Sequence, residues 1–342
     1  RRLLLLSRRG ATAPGATELR TALEAAGAEV TFTACDATDR DALTTALARV
    51  PAEHPLTAVI HTAGILDDHT IATMNPEQLE KVLRTKAHAA WNLHELTAGP
   101  ELGAFVLYSS VAGLLGTAGQ ANYAAGNAFL DALATDRQAR GLPGSSLAWG
   151  LREETGSLAG QLAAADLQRL ARMGLVPVAS AEAMNLFDAA VAGGAPVTAL
   201  TRLSTEALGD REEWPPLLRG PAPTVTAPRA GAGSGSPASG SLLQAGLSPA
   251  AARKAVAEVV RTHAAGVLGH ADPSALPGER ALQEMGFDSL TSLELRNRLA
   301  KATGLPLPVT LVFDHPSLDA LTAHVLGRVS GEVAEREATV PV

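Results

Sequence analysis

Short apolar runs alternate with helix-patterned segments up to about residue 202, and this alternation constrains the fold more than any other feature. Runs that are apolar throughout, rather than at every second position, are typical of strands buried on both faces of a parallel sheet. Helical patterns lie between them, near residues 16–26, 39–50, 76–98, 120–140 and 180–192. The sequence therefore predicts the α/β class with a Rossmann-like parallel sheet. The predicted strands are Leu3–Ser7, Val30–Asp36, Ala58–Gly64, Ala104–Ser110, Ser145–Gly150 and Val197–Thr201.

A change in composition ends this region. Residues 220–248 are rich in Pro, Ala, Gly and Ser, cannot bury a core and are predicted to form a flexible linker. Helical periodicity resumes afterwards and predicts a small all-α four-helix bundle. We therefore expect four parts, at 1–219, 220–248, 249–329 and a polar tail of unassigned structure at 330–342. The helices expected in the bundle include Pro249–Leu268, Leu290–Thr303 and Leu318–Val329.

Charge and composition exclude several classes of function. The net charge of -7 gives no overall attraction to nucleic acid or to anionic membranes. No stretch approaches the ~20 apolar residues that a membrane-spanning helix needs. The single cysteine, Cys35, excludes an internal disulfide and fits a reducing compartment, so we expect a cytoplasmic protein. The histidines have no metal-ligand spacing, and no metal site is predicted.

Four polar residues suggest acid–base chemistry on a carbonyl group. Ser110 ends a predicted strand, at the edge where open α/β sheets bind ligands. Tyr123 begins the next predicted helix, with Asn127 one turn further on the same face. A tyrosine with a pKa near 10 needs a nearby cation to stabilise its phenolate, and Lys86 of a neighbouring helix is the candidate. The alternative is an ordinary helix start with a capping serine and a solvated lysine.

This pattern resembles the short-chain dehydrogenase/reductase superfamily and, within it, the ketoreductase domains of modular type I polyketide synthases. The superfamily usually has lysine four residues after the tyrosine, whereas this chain has Asn127 there and Lys86 upstream, as those ketoreductases do. The resemblance covers residues 1–202. Its motifs are His61-Thr62-Ala63-Gly64, Phe105-Val106-Leu107-Tyr108-Ser109-Ser110, Gln120-Ala121-Asn122-Tyr123 and Leu147-Ala148-Trp149-Gly150.

The resemblance implies a role for each residue. Tyr123 would protonate the developing alkoxide, and Ser110 would hydrogen-bond the carbonyl oxygen. Lys86 would lower the pKa of the tyrosine and bind the nicotinamide ribose, and Asn127 would order this network. The cofactor implied is NADPH, which supplies the hydride.

Further residues are expected to bind that cofactor. Ser7, Arg8 and Arg9 follow the first strand, where guanidinium groups suit the 2′-phosphate of NADPH, although an Arg-Arg pair is also common in solvated turns. Asp36 resembles the adenine-contacting aspartate of the family and is equally suited to a helix N-cap. The resemblance also implies that Ala63 and Gly64, at the end of the third predicted strand, contact the cofactor.

The family's order of strands implies that the chain begins at the second strand of the fold. The first strand, with its glycine-rich turn, would lie at the middle of a 3-2-1-4-5-6 sheet. Its absence is expected to leave two neighbouring strands with unpaired edges.

Leu66-Asp67-Asp68 resembles the marker of B-type ketoreductases, which implies a D-configured β-hydroxyl. Leu115 stands where A-type enzymes have tryptophan, and Ala125 lacks the proline associated with epimerisation. Two adjacent aspartates after a strand are otherwise an ordinary polar loop.

Ser289 lies in Gly286-Phe287-Asp288-Ser289-Leu290, at the predicted start of a helix. A phosphodiester at a helix N-terminus is favoured by unpaired N–H groups and the helix dipole. The segment resembles the acyl carrier proteins of the same synthases, which implies 4′-phosphopantetheine on Ser289. An N-capping serine is the simpler interpretation.

The sequence thus predicts reduction of a carrier-bound β-ketoacyl thioester with NADPH, within a multidomain synthase. The implied partners are upstream ketosynthase and acyltransferase domains, a phosphopantetheinyl transferase, and a downstream ketosynthase or thioesterase. One alternative is a carrier or scaffold segment with an inactive reductase region. Another is an independent dehydrogenase for small alcohols.

Overall fold

The computed structural model describes residues 1–99, 101–153, 167, 170–171, 173–204, 216–219, 249–270 and 272–338. The chain divides into two compact units, Arg1–Ala222 and Pro223–Val342, and each is described by itself. The predicted linker, 220–248, lies outside the described residues.

Parallel strands form the framework of the first unit. Strands β3, β4, β5 and β7 form one parallel sheet in that order, and β1 pairs with β2 in a separate parallel sheet. The prediction of a Rossmann-like parallel sheet is confirmed, and each of the six predicted strands is present. A short antiparallel pair, β6 with β8, was not predicted. The strands are β1 (Arg2–Ser7), β2 (Glu29–Ala34), β3 (Ala58–His61), β4 (Ala104–Ser110), β5 (Ser145–Trp149), β6 (Leu175–Val176), β7 (Val197–Leu200) and β8 (Arg202–Leu203).

Strands β1 and β3 each have a strand partner on one side only, among the residues that the structure describes. Ile60 of β3 is accordingly half exposed, although a strand of this kind normally buries both faces.

Helices follow the strands, as in other α/β folds. Asp39 caps α2, and Asn75 and Gln78 form a capping box at the start of α3. The sequence predicted one continuous helix at 76–98, but a π-helical turn at Arg84–His88 separates α3 from α4. The helices of this unit are α1 (Ala16–Ala25), α2 (Arg40–Leu47), α3 (Pro76–Leu83), α4 (Ala89–Leu96), α5 (Val111–Leu115), α6 (Ala121–Ala139), α7 (Ser180–Gly193) and α8 (Pro216–Arg219).

The core of the first unit lies on both faces of the four-stranded sheet. On one face, Phe105 and Leu107 of β4 pack in a cluster with Leu130 of α6. On the other face, Val106 of β4 packs in a cluster with Leu147 and with residues of α7. Successive residues of a strand point to opposite faces, so this alternation along β4 holds helices on both sides of the sheet.

The second unit is a small helical bundle around one apolar core, as predicted. It contains α9 (Pro249–Leu268), α10 (Ser289–Thr303), α11 (Leu311–Asp314) and α12 (Leu318–Ala338). Helix α12 continues through most of the segment that the sequence left as a polar tail, so residue 329 is not a helix end. Among the described residues, no helix is long and apolar enough to cross a membrane. Fully buried leucines fill the core, including Leu295, Leu299, Leu311, Leu318 and Leu321.

Candidate active site and carrier serine

Helix α6 and strand β4 bring together three of the four predicted catalytic residues. Tyr123 lies in the first turn of α6 and Asn127 one turn later, and both are buried. Ser110 ends β4 and caps α5, its hydroxyl accepting a hydrogen bond from the N–H of Ala112 at 3.2 Å. Ser110 and Asn127 both act on the side chain of Tyr123, whose pKa they lower. Asn127 also donates from Nδ2 to the carbonyl oxygen of Tyr123 at 2.8 Å.

Lys86 reaches the same site from the π-helical turn between α3 and α4. Its side chain is 2% exposed, and Nζ donates to the carbonyl oxygen of Tyr108 on β4 at 2.7 Å. Nζ lies 5.2 Å from the centroid of the Tyr123 ring. Turns of π-helix occur often at functional sites because the extra residue redirects a side chain. The four residues predicted from the sequence therefore converge.

Two glycines allow these elements to approach closely. A β-carbon at Gly126 would lie 3.1 Å from Cβ of Lys86, and one at Gly113 would lie 3.1 Å from Cβ of Asn127. Both positions need glycine because any side chain would press on a catalytic residue. Sequence reasoning missed both, since neither has a turn conformation or a motif that marks it.

The phenol of Tyr123 is held in its protonated form. Burial raises its pKa above the ordinary value, and the carboxylate of Asp68 acts in the same direction. Hydrogen bonds with Ser110 and Asn127 lower the pKa but do not reverse the shift. Lys86 is not among the groups that shift this pKa, although its Nζ lies 5.2 Å from the centroid of the ring. A protonated phenol is suited to donating a proton.

The pKa values of Lys86 and His61 are both lowered, which favours the neutral form of each side chain. Burial lowers the pKa of Lys86 to about 8, against an opposing attraction from Asp131. Burial and the charge of Lys86 lower the pKa of His61, at the end of β3, to about 4. His61 is therefore neutral at pH 7, and Lys86 is mostly charged.

The segment at 66–68 lies against the catalytic tyrosine. Leu66 packs with Val82, Ala112 and Tyr123 in one apolar cluster. Asp67 does not project freely: its carboxylate accepts from Lys81 Nζ at 2.7 Å and lies 2.9 Å from Nε2 of His69. These contacts lower the pKa of Asp67, the bond from Lys81 most strongly.

The N-terminus of α6 fixes this segment in place. Asn122, fully buried, donates from Nδ2 to the carbonyl oxygen of Asp67 at 2.7 Å, and its Oδ1 accepts from the N–H of Tyr123 at 2.8 Å. Gln120 donates from Nε2 to Asp68 at 2.8 Å. Sequence reasoning missed Lys81, His69 and the role of Gln120, because these contacts join residues up to 52 positions apart.

The predicted cofactor residues lie at the carboxyl ends of strands β1 to β3. Ser7, Arg8 and Arg9 are exposed after β1, and Ala63 and Gly64 follow β3. Arg8 is near enough to Asp36 to help lower the pKa of its carboxyl group, although a hydrogen bond from the N–H of Thr38 is the larger cause. Arg8 and Arg9 therefore lie at the end of β1, and the carboxyl group of Asp36 lies at the end of β2.

Asp36 is not a helix N-cap: Asp39 caps α2, and Asp36 instead closes a turn onto Thr38. The loop after β2 is joined to α4, since Asn92 donates to the carbonyl oxygens of Ala37 and Thr38 at 3.0 and 3.2 Å. The loop after β2 and the helical segment that carries Lys86 are therefore positioned together.

In the second unit, Ser289 is the first residue of α10. Asp288 caps the helix and accepts from the N–H groups of Leu290 and Thr291 at 3.0 and 2.7 Å. Because Asp288 is the cap, the interpretation of Ser289 as an N-cap is wrong. Among the residues that the structure describes, no group of three His, Cys, Asp or Glu side chains is placed to hold a metal ion.

The parallel α/β sheet and the Ser–Tyr–Lys–Asn cluster at its carboxyl edge define a reductase of the short-chain dehydrogenase/reductase class. Residues 1–154 match the family model of the KR domain, and residues 258–325 match that of the phosphopantetheine attachment site. The chain belongs to the modular type I polyketide synthases and comprises a ketoreductase domain and an acyl carrier domain.

Its relatives are much larger proteins. Polyketide synthase GfsB of Streptomyces halstedii is 52% identical over 99% of this chain, which spans 6% of that protein. The pikromycin synthase component PikAII of Streptomyces venezuelae is 48% identical over 96% of the chain, which spans 9% of it. The chain thus corresponds to a small part of the length of these relatives.

Solved structures similar to the chain are ketoreductases. An A1-type ketoreductase is 44% identical with a TM-score of 0.56, covering 60% of this chain and 43% of that one. A C2-type ketoreductase from a modular polyketide synthase is 36% identical with a TM-score of 0.53, covering 60% and 43%.

Proposed function

We propose that the first unit reduces a carrier-bound β-ketoacyl thioester to a β-hydroxyacyl thioester with NADPH. The convergence of Ser110, Tyr123, Asn127 and Lys86 carries this proposal, because it places a proton donor, a carbonyl-binding hydroxyl and a buried cation at one sheet edge. An inactive scaffold would have no need of four such residues in contact.

In this proposal Ser110 hydrogen-bonds the carbonyl oxygen of the substrate, and Tyr123 donates its phenolic proton to that oxygen as negative charge develops there. The raised pKa of Tyr123 keeps the proton available until then. The charge of Lys86 then stabilises the phenolate, and Asn127 holds the first turns of α6 in register through the carbonyl oxygen of Tyr123.

The residues present fit NADPH. Arg8 and Arg9 are exposed at the end of β1, where guanidinium groups can bind a 2′-phosphate, and Asp36 lies beside them at the end of β2. Ala63 and Gly64 would contact the cofactor after β3, and Lys86 would bind its nicotinamide ribose. The cofactor, when bound, supplies a hydride to the carbonyl carbon.

We further propose a D-configured product, as in B-type ketoreductases. Leu66, Asp67 and Asp68 support it because the segment is fixed against Tyr123, where it can restrict how the substrate enters.

The carrier domain is proposed to hold the growing chain as a thioester on 4′-phosphopantetheine, attached to Ser289 by a phosphopantetheinyl transferase. The N-terminus of a 15-residue helix favours a phosphodiester at that position. Upstream ketosynthase and acyltransferase domains, a downstream ketosynthase or thioesterase, and a cytoplasmic location belong to the same proposal.

The carrier role of Ser289 and the reductase role of Tyr123 are tested in turn. The chain is incubated with coenzyme A and a phosphopantetheinyl transferase, and its intact mass is measured for the native form, Ser289→Ala and Ser292→Ala. Only Ser289→Ala should fail to gain one phosphopantetheine. NADPH oxidation is then followed with a β-ketoacyl thioester and should vanish in Tyr123→Phe. Because the family's first strand is expected upstream of Arg1, this assay uses the chain extended to include that strand. Oxidation that persists at the native rate in Tyr123→Phe would exclude Tyr123 as the proton donor, and its absence in the extended native chain would favour a carrier segment with an inactive reductase.

A further inference from the structure

Asp131 is a buried carboxylate with no close cation. It lies on α6, is 8% exposed, and its Oδ1 accepts a hydrogen bond from Ser146 Oγ of β5 at 2.5 Å. Among the described residues, no ammonium, guanidinium or imidazole nitrogen lies within 4 Å of this carboxylate. One neutral hydroxyl compensates little of the cost of burying an ionised group, so another charge must contribute.

Lys86 is a buried cation without a close carboxylate, as Asp131 is a buried carboxylate without a close cation. It is almost fully buried, its ammonium group donates to a neutral carbonyl oxygen, and none of the carboxylates in the described part of the chain is within 4 Å of it. Charges buried in protein interact over longer distances than charges in water, because less solvent screens them. Each residue is therefore suited to balance the other.

Helix α6, which carries Asp131, packs against the turn that carries Lys86. Tyr123, Asn127 and Asp131 follow at intervals of four residues and so share one face of α6. The same helix packs on the π-helical turn, with Gly126 in contact range of the Lys86 side chain. The attraction to Asp131 opposes the effect of burial on the pKa of Lys86.

We propose that Asp131 is a positioning residue of the active site: it is the buried counter-charge that keeps the Lys86 ammonium protonated. This inference deepens the proposed function and rests on it, since the charge of Lys86 matters through Tyr123 and the cofactor. The other titratable groups that face Lys86 are His61 from β3 and Tyr123 from α6, with Arg84 and His88 on its own turn. None of them is an anion at pH 7. The Asp68 carboxylate acts on Tyr123 and accepts from Gln120, whereas Asp131 is the carboxylate that acts on Lys86.

The four lysines of the chain make a direct test practical. With ¹³C-labelled lysine ε-carbons, the NMR titration of the full chain has four signals, and Lys86→Met assigns that of Lys86. In Asp131→Asn the pKa of Lys86 should fall by about one unit from its native value, a change typical of losing a nearby opposite charge. Asp136→Asn, which removes an exposed carboxylate from the same helix, should leave the pKa unchanged.

Ser146→Ala separates charge from packing, because it removes the hydrogen bond and keeps the carboxylate. The pKa of Lys86 should stay near its native value in this variant. An unchanged pKa in Asp131→Asn, or an equal fall in Ser146→Ala, would overturn the proposal. If Asp131→Asn does not fold, Lys86→Met/Asp131→Asn should fold because both buried charges are gone, and a double variant that also fails to fold would overturn it.

Reductase activity is a separate readout. Activity that requires charged Lys86 is lost as pH rises through its pKa, so Asp131→Asn should move this alkaline limit to lower pH by the shift seen in the NMR titration. An NMR shift without movement of the limit would overturn the positioning role. An NMR shift in a chain with no native activity would support the counter-charge and contradict the proposed function.

Discussion

Gly126 of α6 lies directly against the side chain of Lys86: a β-carbon at position 126 would be 3.1 Å from Cβ of the lysine and 3.4 Å from its Cγ. The lysine is buried on a π-helical turn and held by the carbonyl oxygen of Tyr108, so it has little freedom to move aside. The absence of a side chain at 126 therefore helps to set the position of the ammonium group.

Gly126→Ala should consequently reduce catalysis more than stability. We expect kcat for thioester reduction to fall on the order of tenfold or more, since small displacements of catalytic groups are costly. The free energy of unfolding should fall by about 1 kcal/mol through overpacking, partly offset by the better helix propensity of alanine.

Gly193→Ala is the matched control, because a β-carbon there meets no atom within 4 Å. It should leave kcat and the free energy of unfolding near their native values. NADPH oxidation measures kcat, and urea unfolding measures the free energy of unfolding. Native kcat in Gly126→Ala would show that the contact does not position Lys86.

The phenol of Tyr123 should ionise above its ordinary pKa of about 10. Burial is the main cause, and the direction is opposite to the one expected from a neighbouring lysine. The chain has two tyrosines, so the difference between the phenolate absorbance titrations of the native protein and Tyr123→Phe reports this residue alone. A midpoint below 10 would mean that the charge of Lys86 outweighs burial.

The sequence was sufficient for the fold and for choosing the four residues that the structure brings together. Apolar runs located all six main strands, and the position of Ser110 at a strand end predicts that it lies at the ligand-binding edge. The convergence of Lys86 with Tyr123 was predictable only through the family resemblance, since 37 residues separate them.

Other features depend on tertiary contacts that no local pattern encodes. The π-helical turn at Arg84–His88 inserts one residue into a helix whose apolar pattern is continuous. The pKa of Tyr123 depends on how deeply the phenol is buried and on the nearby Ser110, Asn127 and Asp68 side chains. From the sequence alone, Asp67 could equally belong to an ordinary polar loop. In the structure Lys81 and His69 bind its carboxylate.

His61 should make the stability of the first unit pH-dependent. Its pKa is lowered from the 6.5 of an unfolded chain to about 4, chiefly by burial, so the unfolded state binds a proton more readily than the folded state. The contribution to stability is present above pH 6.5 and is lost as pH falls toward 4. Between pH 7.5 and pH 5 the loss should be about 2 kcal/mol.

All three tryptophans, Trp91, Trp149 and Trp214, lie in the first unit, so urea unfolding followed by tryptophan fluorescence reports that unit alone. His61→Gln should remove most of the decrease between the two pH values. His54→Gln, at an exposed histidine, should retain it. An undiminished decrease in His61→Gln would assign the pH dependence to other groups.

Asn122 joins the segment at 66–68 to the helix that carries the catalytic tyrosine. Its Nδ2 donates to the carbonyl oxygen of Asp67 at 2.7 Å, and it is fully buried. Asn122→Asp replaces this donor with an oxygen facing a carbonyl oxygen, a change that leaves a buried polar group unpaired and costs about 1–3 kcal/mol. Because the loosened segment lies beside Tyr123, the fraction of the minor β-hydroxyl epimer should also rise.

The same substitution at Asn75 is the control. Its side-chain oxygen caps α3 by accepting from the N–H of Gln78, and an aspartate caps a helix equally well. Asn75→Asp should therefore leave stability and product configuration unchanged. Chiral chromatography of the hydrolysed products measures the epimer ratio. An unchanged ratio in a destabilised Asn122→Asp protein would show that the segment at 66–68 does not control the product configuration. A changed ratio in Asn122→Asp alone would assign stereocontrol to the anchored segment, because the same substitution at Asn75 keeps its contact and only Asn122→Asp loses a donor.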